Sequence, residues 1–270
     1  MNPYPIALAA LSLFVAALEW ARPRRPAQPQ LRPRLWSDLC HLVFNGHWLG
    51  VGLYLLATQR VEPPINAFLA GHELDTLVFA GVASAWPLWV QIVVVIVVMD
   101  FVQWCIHNIL HRVPWLWEFH KIHHSVVDGE MDWIVSFRFH WMEVVVYKCF
   151  QYLPLAFFGF DGNAILAHAI FGTLIGHLNH ANLDWGYGRW RYVLNNPRMH
   201  LWHHDYDCKP GEARNFGIIF SMWDWMFGTA RVPDHPPRAL GFPGTERVPL
   251  IFPLHELWPL FKRRDGVGEP

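Results

Sequence analysis

Eight histidines of this chain fall in three short runs: HNILH at 107–111, HKIHH at 120–124 and HLWHH at 200–204. With 17 histidines in 270 residues, H-x-x-H-H is expected about 0.07 times by chance, yet it occurs twice. Residues three and four apart share a helix face, so each run presents its imidazoles in one direction. Clustered imidazoles with no thiolate beside them point to a metal centre. Eight exceed what one tetrahedral zinc accepts. Two ions with about four nitrogen ligands each would keep positions open for substrate or oxygen, as a redox metal needs. Iron suits imidazole, and ligand type alone also admits zinc, manganese or copper. A haem needs only paired axial histidines from facing helices, which leaves the adjacent pairs His123-His124 and His203-His204 unexplained.

Asp100, Gln103, His107 and His111 follow at steps of three, four and four, which is one helical face. A carboxylate near the end of a membrane helix is costly without a partner. Asp100 is therefore expected to accept the second ring N–H of a ligating histidine, fixing its tautomer and orientation, in preference to a helix-end charge satisfied by water or a tryptophan N–H. Pro114 and Pro197 each stand just before a histidine run. Proline cannot continue a preceding helix but tolerates the first turn of a new one, so each run is expected on a short helix of its own. The chain has no H-E-x-x-H, no G-x-S-x-G, no Walker A and no G-x-G-x-x-G pattern. A nicotinamide or flavin domain is accordingly expected on another protein.

The elements that must carry these groups are apolar. The chain is 53% hydrophobic and 16% charged, too apolar for an average soluble domain, and its net charge of -1 gives no argument for nucleic acid. Cys40, Cys105, Cys149 and Cys208 lie far apart, as individual thiols. Residues 3–20 form a first apolar span, followed by Arg22, Arg24, Arg25, Arg32 and Arg34 in a proline-rich linker. A signal peptide has the reverse order; this one describes a membrane helix whose C-terminal end faces the cytoplasm. A second span covers about residues 39–58, ending at Gln59-Arg60. An outward loop with a short apolar surface helix then runs to about Ser84. The third span, 86–106, has about the length a bilayer needs and returns the chain to the cytoplasm before His107. Two more apolar arms, 141–160 and 163–178, joined by the turn FGFDGN, make a helical hairpin. Lys148, Gln151 and Pro154 interrupt its first arm, which is expected to lie partly at the interface. All histidine groups then end on the cytoplasmic side. The expected fold is an all-α integral membrane bundle of about four to five membrane helices, including the hairpin, under a cytosolic histidine-rich helical cap. Residues 1–85 are the N-terminal membrane part, 86–230 the catalytic part and 231–270 a proline-rich tail.

Around the runs, RFHWMEV at 138–144, HANL at 180–183, NNPRMHLWHH at 195–204, NFG at 215–217 and WDWMFGT at 223–229 follow in order. With them, residues 99–229 resemble the sterol desaturase / fatty acid hydroxylase superfamily in its bacterial form, with Trp141 where a proline is usual. The resemblance implies a non-haem di-iron centre on the cytosolic side that uses O2 to hydroxylate or desaturate a lipid C–H bond. It implies His107, His111, His120, His123, His124, His180, His200, His203 and His204 as ligands. It also implies electrons from a ferredoxin or b-type cytochrome with its NAD(P)H reductase. His177 is a candidate tenth ligand, His140 a neighbour of the ligands, and Asn215, Asp205 and Asp207 hydrogen-bonding supports of the third run. His168 is read as packing or channel lining. His41, His47, His72, His235 and His255 have no cluster partners and get no role. The reading from another class is a non-catalytic membrane metal- or haem-binding protein.

Overall fold

The computed structural model describes residues 3–73, 81–126, 130–208 and 210–261. Three long apolar helices come first: α1 (Tyr4–Ala21), α2 (Leu35–Gly71) and α3 (Leu88–Arg112). Among the described residues, these three are long and apolar enough to cross a membrane. They are followed by the short α4 (Pro114–His120), the hairpin α5 (Trp141–Phe158) and α6 (Gly162–His180), and α7 (Pro197–His203). Two further short helices close the chain, α8 (Met222–Met226) and α9 (Phe252–Phe261). The hairpin forms as expected, with the Asp161 carboxylate accepting from Asn163 N at 2.7 Å to start its second arm. Gly159, at φ 70°, makes the turn, where a Cβ would lie 2.9 Å from the Gly81 backbone. Its arms carry Glu143, Lys148, Gln151, Thr173, His177 and Asn179, which keeps both out of the set that qualifies as spans on composition.

The second span is longer than its pattern. A continuous helix runs through Gln59 and Arg60, where the hydrophobic run ends, and on to Gly71. It contains two π-helical stretches, His41–Leu49 and Ala57–Val61. Pro63 and Pro64 directly follow the second stretch, and inside a continuous helix each removes one N–H donor from the ladder. The expected surface helix is thus partly the end of α2; residues 74–80 lie outside the described residues.

The core is built around α6. Val15 of α1 packs with Ile175, Leu178, Ala181, Leu183 and Ile219, and Val95 and Met99 of α3 pack with Leu155 and Ala164. Burying a side chain of this size contributes about 1.5–3 kcal/mol. The polar linker between α1 and α2 is also inside. Arg32 pairs with Asp38 at 2.6 Å and Asp132 at 2.7 Å, Arg138 pairs with the same Asp38 at 2.6 Å, and Arg34 donates to Ser125 O and to Val248 O. Two of the five arginines that follow the first span, Arg32 and Arg34, are therefore structural, because each finds a buried carboxylate or carbonyl acceptor. Glu19, near the end of α1, accepts from Trp133 N at 2.9 Å and Asn182 N at 2.6 Å. The C-terminal ends of α1 and α3 and the N-terminal end of α2 thereby meet at one pole. The tail returns to that pole as well: His255 Nδ1 lies 3.0 Å from His41 Nε2, and the Glu256 carboxylate accepts from Asn45 Nδ2 at 2.7 Å. His41 and His255, left without a role by their isolation in sequence, are one buried pair.

Candidate metal centre

Each histidine run sits where a helix ends. His107 and His111 occupy the last two turns of α3, and Val113 turns extended (φ -95°, ψ 112°) before Pro114 opens α4. His120 ends α4, with His123 and His124 in the turn that follows, and His180 is the last residue of α6. On α7, Asn196 caps the start by accepting from Met199 N at 3.0 Å, and His200, His203 and His204 follow.

Packing α3, α4, α6 and α7 together makes two buried groups. His107, His111, His120, His124 and His203 form one, and His123, His180, His200 and His204 the other, each with one nitrogen per residue within 4.8 Å of the rest. The nine residues are those named from sequence, but the division does not follow the runs. HKIHH gives His120 and His124 to the first group and His123 to the second; HLWHH gives His203 to the first and His200 and His204 to the second.

The hydrogen bonds show which nitrogens face inward. His107 Nδ1 donates to Phe216 O at 2.8 Å, His180 Nδ1 to Gly176 O at 2.8 Å and His203 Nδ1 to Arg214 O at 2.7 Å. His120 Nδ1 donates to the Glu143 carboxylate at 2.6 Å. A carbonyl only accepts, so in His107, His180 and His203 Nε2 is the lone-pair nitrogen, as it is in His120 when Glu143 is ionised. Yet His107 Nε2 and His120 Nε2 stand 3.1 Å apart. Two lone pairs face each other there, which is repulsive unless a cation lies between. His203 Nε2 lies 3.2 Å from His111 Nε2, and His180 Nε2 lies 3.1 Å from His123 Nε2 and 2.9 Å from His200 Nε2. About 3 Å is the spacing of neighbouring nitrogens that each sit about 2.1 Å from one ion. Burial pushes the His120 imidazole down to about 3, and burial with the neighbouring rings holds His123, His124, His200, His203 and His204 well below their usual value. All are neutral at pH 7, the form that binds metal. The donor set fits two metal ions.

The supports differ from those expected. Asp100 does not accept from a histidine. Its two oxygens take Ile219 N at 2.7 Å, Phe220 N at 3.0 Å and Trp223 Nε1 at 2.9 Å, because the loop after α7 folds across that face of α3. Asp224 works beside it, accepting from Phe216 N, Gly217 N, Trp104 Nε1 and Thr229 Oγ1. Together they hold the loop whose Phe216 carbonyl orients His107. Among the described residues, the carboxylate that does reach a histidine of the two groups is Glu143, which sequence reasoning missed. Its signal was a lone acid opening an apolar arm within RFHWMEV. Asn215 (φ 57°) donates to Met199 O at 2.8 Å and Arg231 O at 2.7 Å, tying the loop to α7 one residue before His200. Asp205 instead accepts from Asp207 N within its own loop, and Asp207 pairs with Arg238 at the surface. His140 Nε2 faces Glu256 O at 2.9 Å, and His177 lies between Ser12 and Ser136. Neither belongs to the two groups.

A cavity of about 210 Å³ opens beside them, lined by His107 and His120 of one group and His123, His180 and His200 of the other. Its further wall is largely apolar, with Met99, Val144, Leu155 and Ile165, and Gly172 and Gly176 leave its floor open. His168 lines it too, as the sequence suggested.

Residues 92–229, just over half of the chain, match the fatty acid hydroxylase family. The ornithine lipid hydroxylase OlsE of Rhizobium tropici is 31% identical over 185 residues, 68% of this chain and 55% of that protein. Alkylglycerol monooxygenase of Caenorhabditis elegans is 28% identical over 181 residues, 63% of this chain and 34% of that protein. Cholesterol 25-hydroxylase of Rattus norvegicus is 26% identical over 220 residues, 79% of this chain and 65% of that protein. The chain spans only part of the length of each of these relatives, and no solved structure matches it. Together, the matched segment and the relatives show that the chain belongs to the fatty acid hydroxylase family, within the sterol desaturase / fatty acid hydroxylase superfamily.

Proposed function

We propose that this chain is a membrane-bound oxidoreductase that uses O2 to hydroxylate or desaturate a C–H bond of a lipid, at a centre of two iron ions. The observation that carries the reading is the pair of abutting imidazole groups with inward lone pairs, opening together on one apolar cavity. Two irons, when bound, would supply the redox chemistry that oxidises an unactivated carbon. His107, His111, His120, His124 and His203 would hold one, and His123, His180, His200 and His204 the other. Phe216 O, Gly176 O, Arg214 O and Glu143 fix four of the rings by accepting their Nδ1–H. Met99, Val144, Leu155 and Ile165 exclude water from the carbon chain laid against the histidines.

Hydroxylation consumes O2, two electrons and two protons and releases water with the alcohol. The chain has no nucleotide-binding pattern of its own, which supports an external donor, a ferredoxin or b-type cytochrome with its NAD(P)H reductase. The arginines that follow α1 support a cytoplasmic orientation of the histidine pole, in a bacterial inner membrane. Elemental analysis and an absorption spectrum of the purified protein test the metal. About two irons per chain and no Soret band are expected, and a Soret band or a single zinc would defeat the proposal. Comparing lipids from cells with and without the intact gene then identifies the substrate.

A further inference from the structure

The cavity beside the histidines is not apolar to its end. Lys148 and Gln151 of α5 and His168 of α6 line it together. Gln151 is 4% exposed, and among the described residues its Nε2 amide has no hydrogen-bond partner; Nε2 of His168 has none there either. Lys148 Nζ lies 3.5 Å from Gln151 Oε1, its stem against Gly50 of α2. A lysine expected to reach for the interface thus lies along the cavity. Buried polar groups without partners are expensive, and ionisable side chains at membrane depth mark binding sites when they face a cavity.

From these residues we infer a subsite for an oxyanion, the carboxylate or phosphate head of a single-chain lipid whose alkyl chain runs to the histidine groups. The chemistry of the three side chains sets this choice. An ammonium and an amide NH2 only donate, and imidazole donates in its Nε2–H form. Three donors lining one cavity, one of them cationic, complement an oxygen-rich anion. The described lining residues include no Asp or Glu, so nothing on the cavity wall repels one.

Distance along the helices gives the arrangement a length. Gln151 lies eight residues from Glu143 on α5, and His168 twelve residues from His180 on α6, which is about 12 and about 18 Å at helical rise. An extended chain advances about 1.2 Å per bond, so the carbon held at the histidines lies about 10 to 15 bonds from the head group. This position rests on the oxygenase reading; the binding of the head group does not.

The test is equilibrium binding to the purified, iron-loaded full chain in nanodiscs, with palmitate, hexadecyl phosphate and methyl palmitate as probes. Palmitate or the phosphate should bind at least about tenfold tighter than the uncharged ester, and whichever binds better names the source of the oxyanion. In Lys148→Met and in Gln151→Leu that preference should fall several-fold, with affinity for methyl palmitate kept as the sign of an intact cavity; Lys148→Arg should retain it. Equal binding of palmitate and its ester by the wild-type chain overturns the inference, as does an unchanged preference in both variants. A preserved preference without turnover would sink the oxygenase reading alone. No preference in a protein that holds iron and turns over would sink the subsite alone.

Discussion

Four of the nine imidazoles donate Nδ1–H to a carbonyl or carboxylate, and that bond decides which nitrogen each offers inward. Removing a ring should therefore cost metal before it costs fold. His123→Ala and His203→Ala draw on different groups. Each is expected to abolish turnover and lower iron from about two per chain towards one, with the protein still inserted; full activity in both would contradict the assignment. Glu143 acts through His120, as a positioning residue. Loss of such a partner costs about 10–100-fold in metal affinity or activity, so Glu143→Gln should lower iron affinity by that order in a metal titration. The neutral rings also set a pH response. His120 titrates near 3 in the folded, metal-free chain, below its value of 6.5 when unfolded. The unfolded chain therefore binds more protons between those values, and stability falls as pH drops through that window. Thermal unfolding of metal-free protein should show a midpoint that declines as the pH falls from about 6.5 towards 3.

Among the elements, the segment from Asn215 to Asp224, which runs into α8, is joined to α3 by two carboxylates. Asp100 accepts from two backbone N–H groups and one indole N–H. Leaving a buried donor unsatisfied costs about 1–3 kcal/mol, so Asp100→Ala should destabilise the chain by about 3 kcal/mol or more in denaturant unfolding. It should also weaken iron retention, because the same loop carries the Phe216 carbonyl. An effect on activity with unchanged stability would instead place Asp100 at the reaction itself. On α2, Gly46 lies in the first π-helical stretch, and a Cβ there would meet the Phe137 ring at 2.3 Å. Both residues line the cavity. Gly46→Ala is expected to cost about 1–3 kcal/mol through overpacking and to alter lipid affinity, measurable with the same probes.

For the molecule as a whole, the arrangement of ends matters most. α1 arrives at the histidine pole, α2 leaves it and α3 returns to it, so three apolar helices alternate in direction. If that pole faces the cytoplasm, a single cysteine introduced at Gln30 in a cysteine-free background should react with an impermeant thiol reagent only in inverted vesicles. Reaction in intact cells would reverse the orientation. The tail belongs to the same pole, since His255 and Glu256 bond to His41, Asn45 and Trp141.

Residue type and spacing alone pointed to a metal centre held by imidazoles. The eight histidines of the three runs, the helical hairpin and the breaks before Pro114 and Pro197 are local signals, carried by helical period and by the geometry of proline; His180 entered only through the family resemblance. Only the tertiary structure decided how the runs divide between two groups, because that depends on how α3, α4, α6 and α7 cross. It also decided that Glu143 and not Asp100 reaches one of the grouped histidines. Both acids sit on apolar helices near histidines in sequence, and the loop that satisfies Asp100 comes from about 120 residues away. The same holds for the buried arginines, the folded-back tail and the polar end of the cavity. Each is a contact between distant segments, and no local period encodes which distant partner a buried polar group will find.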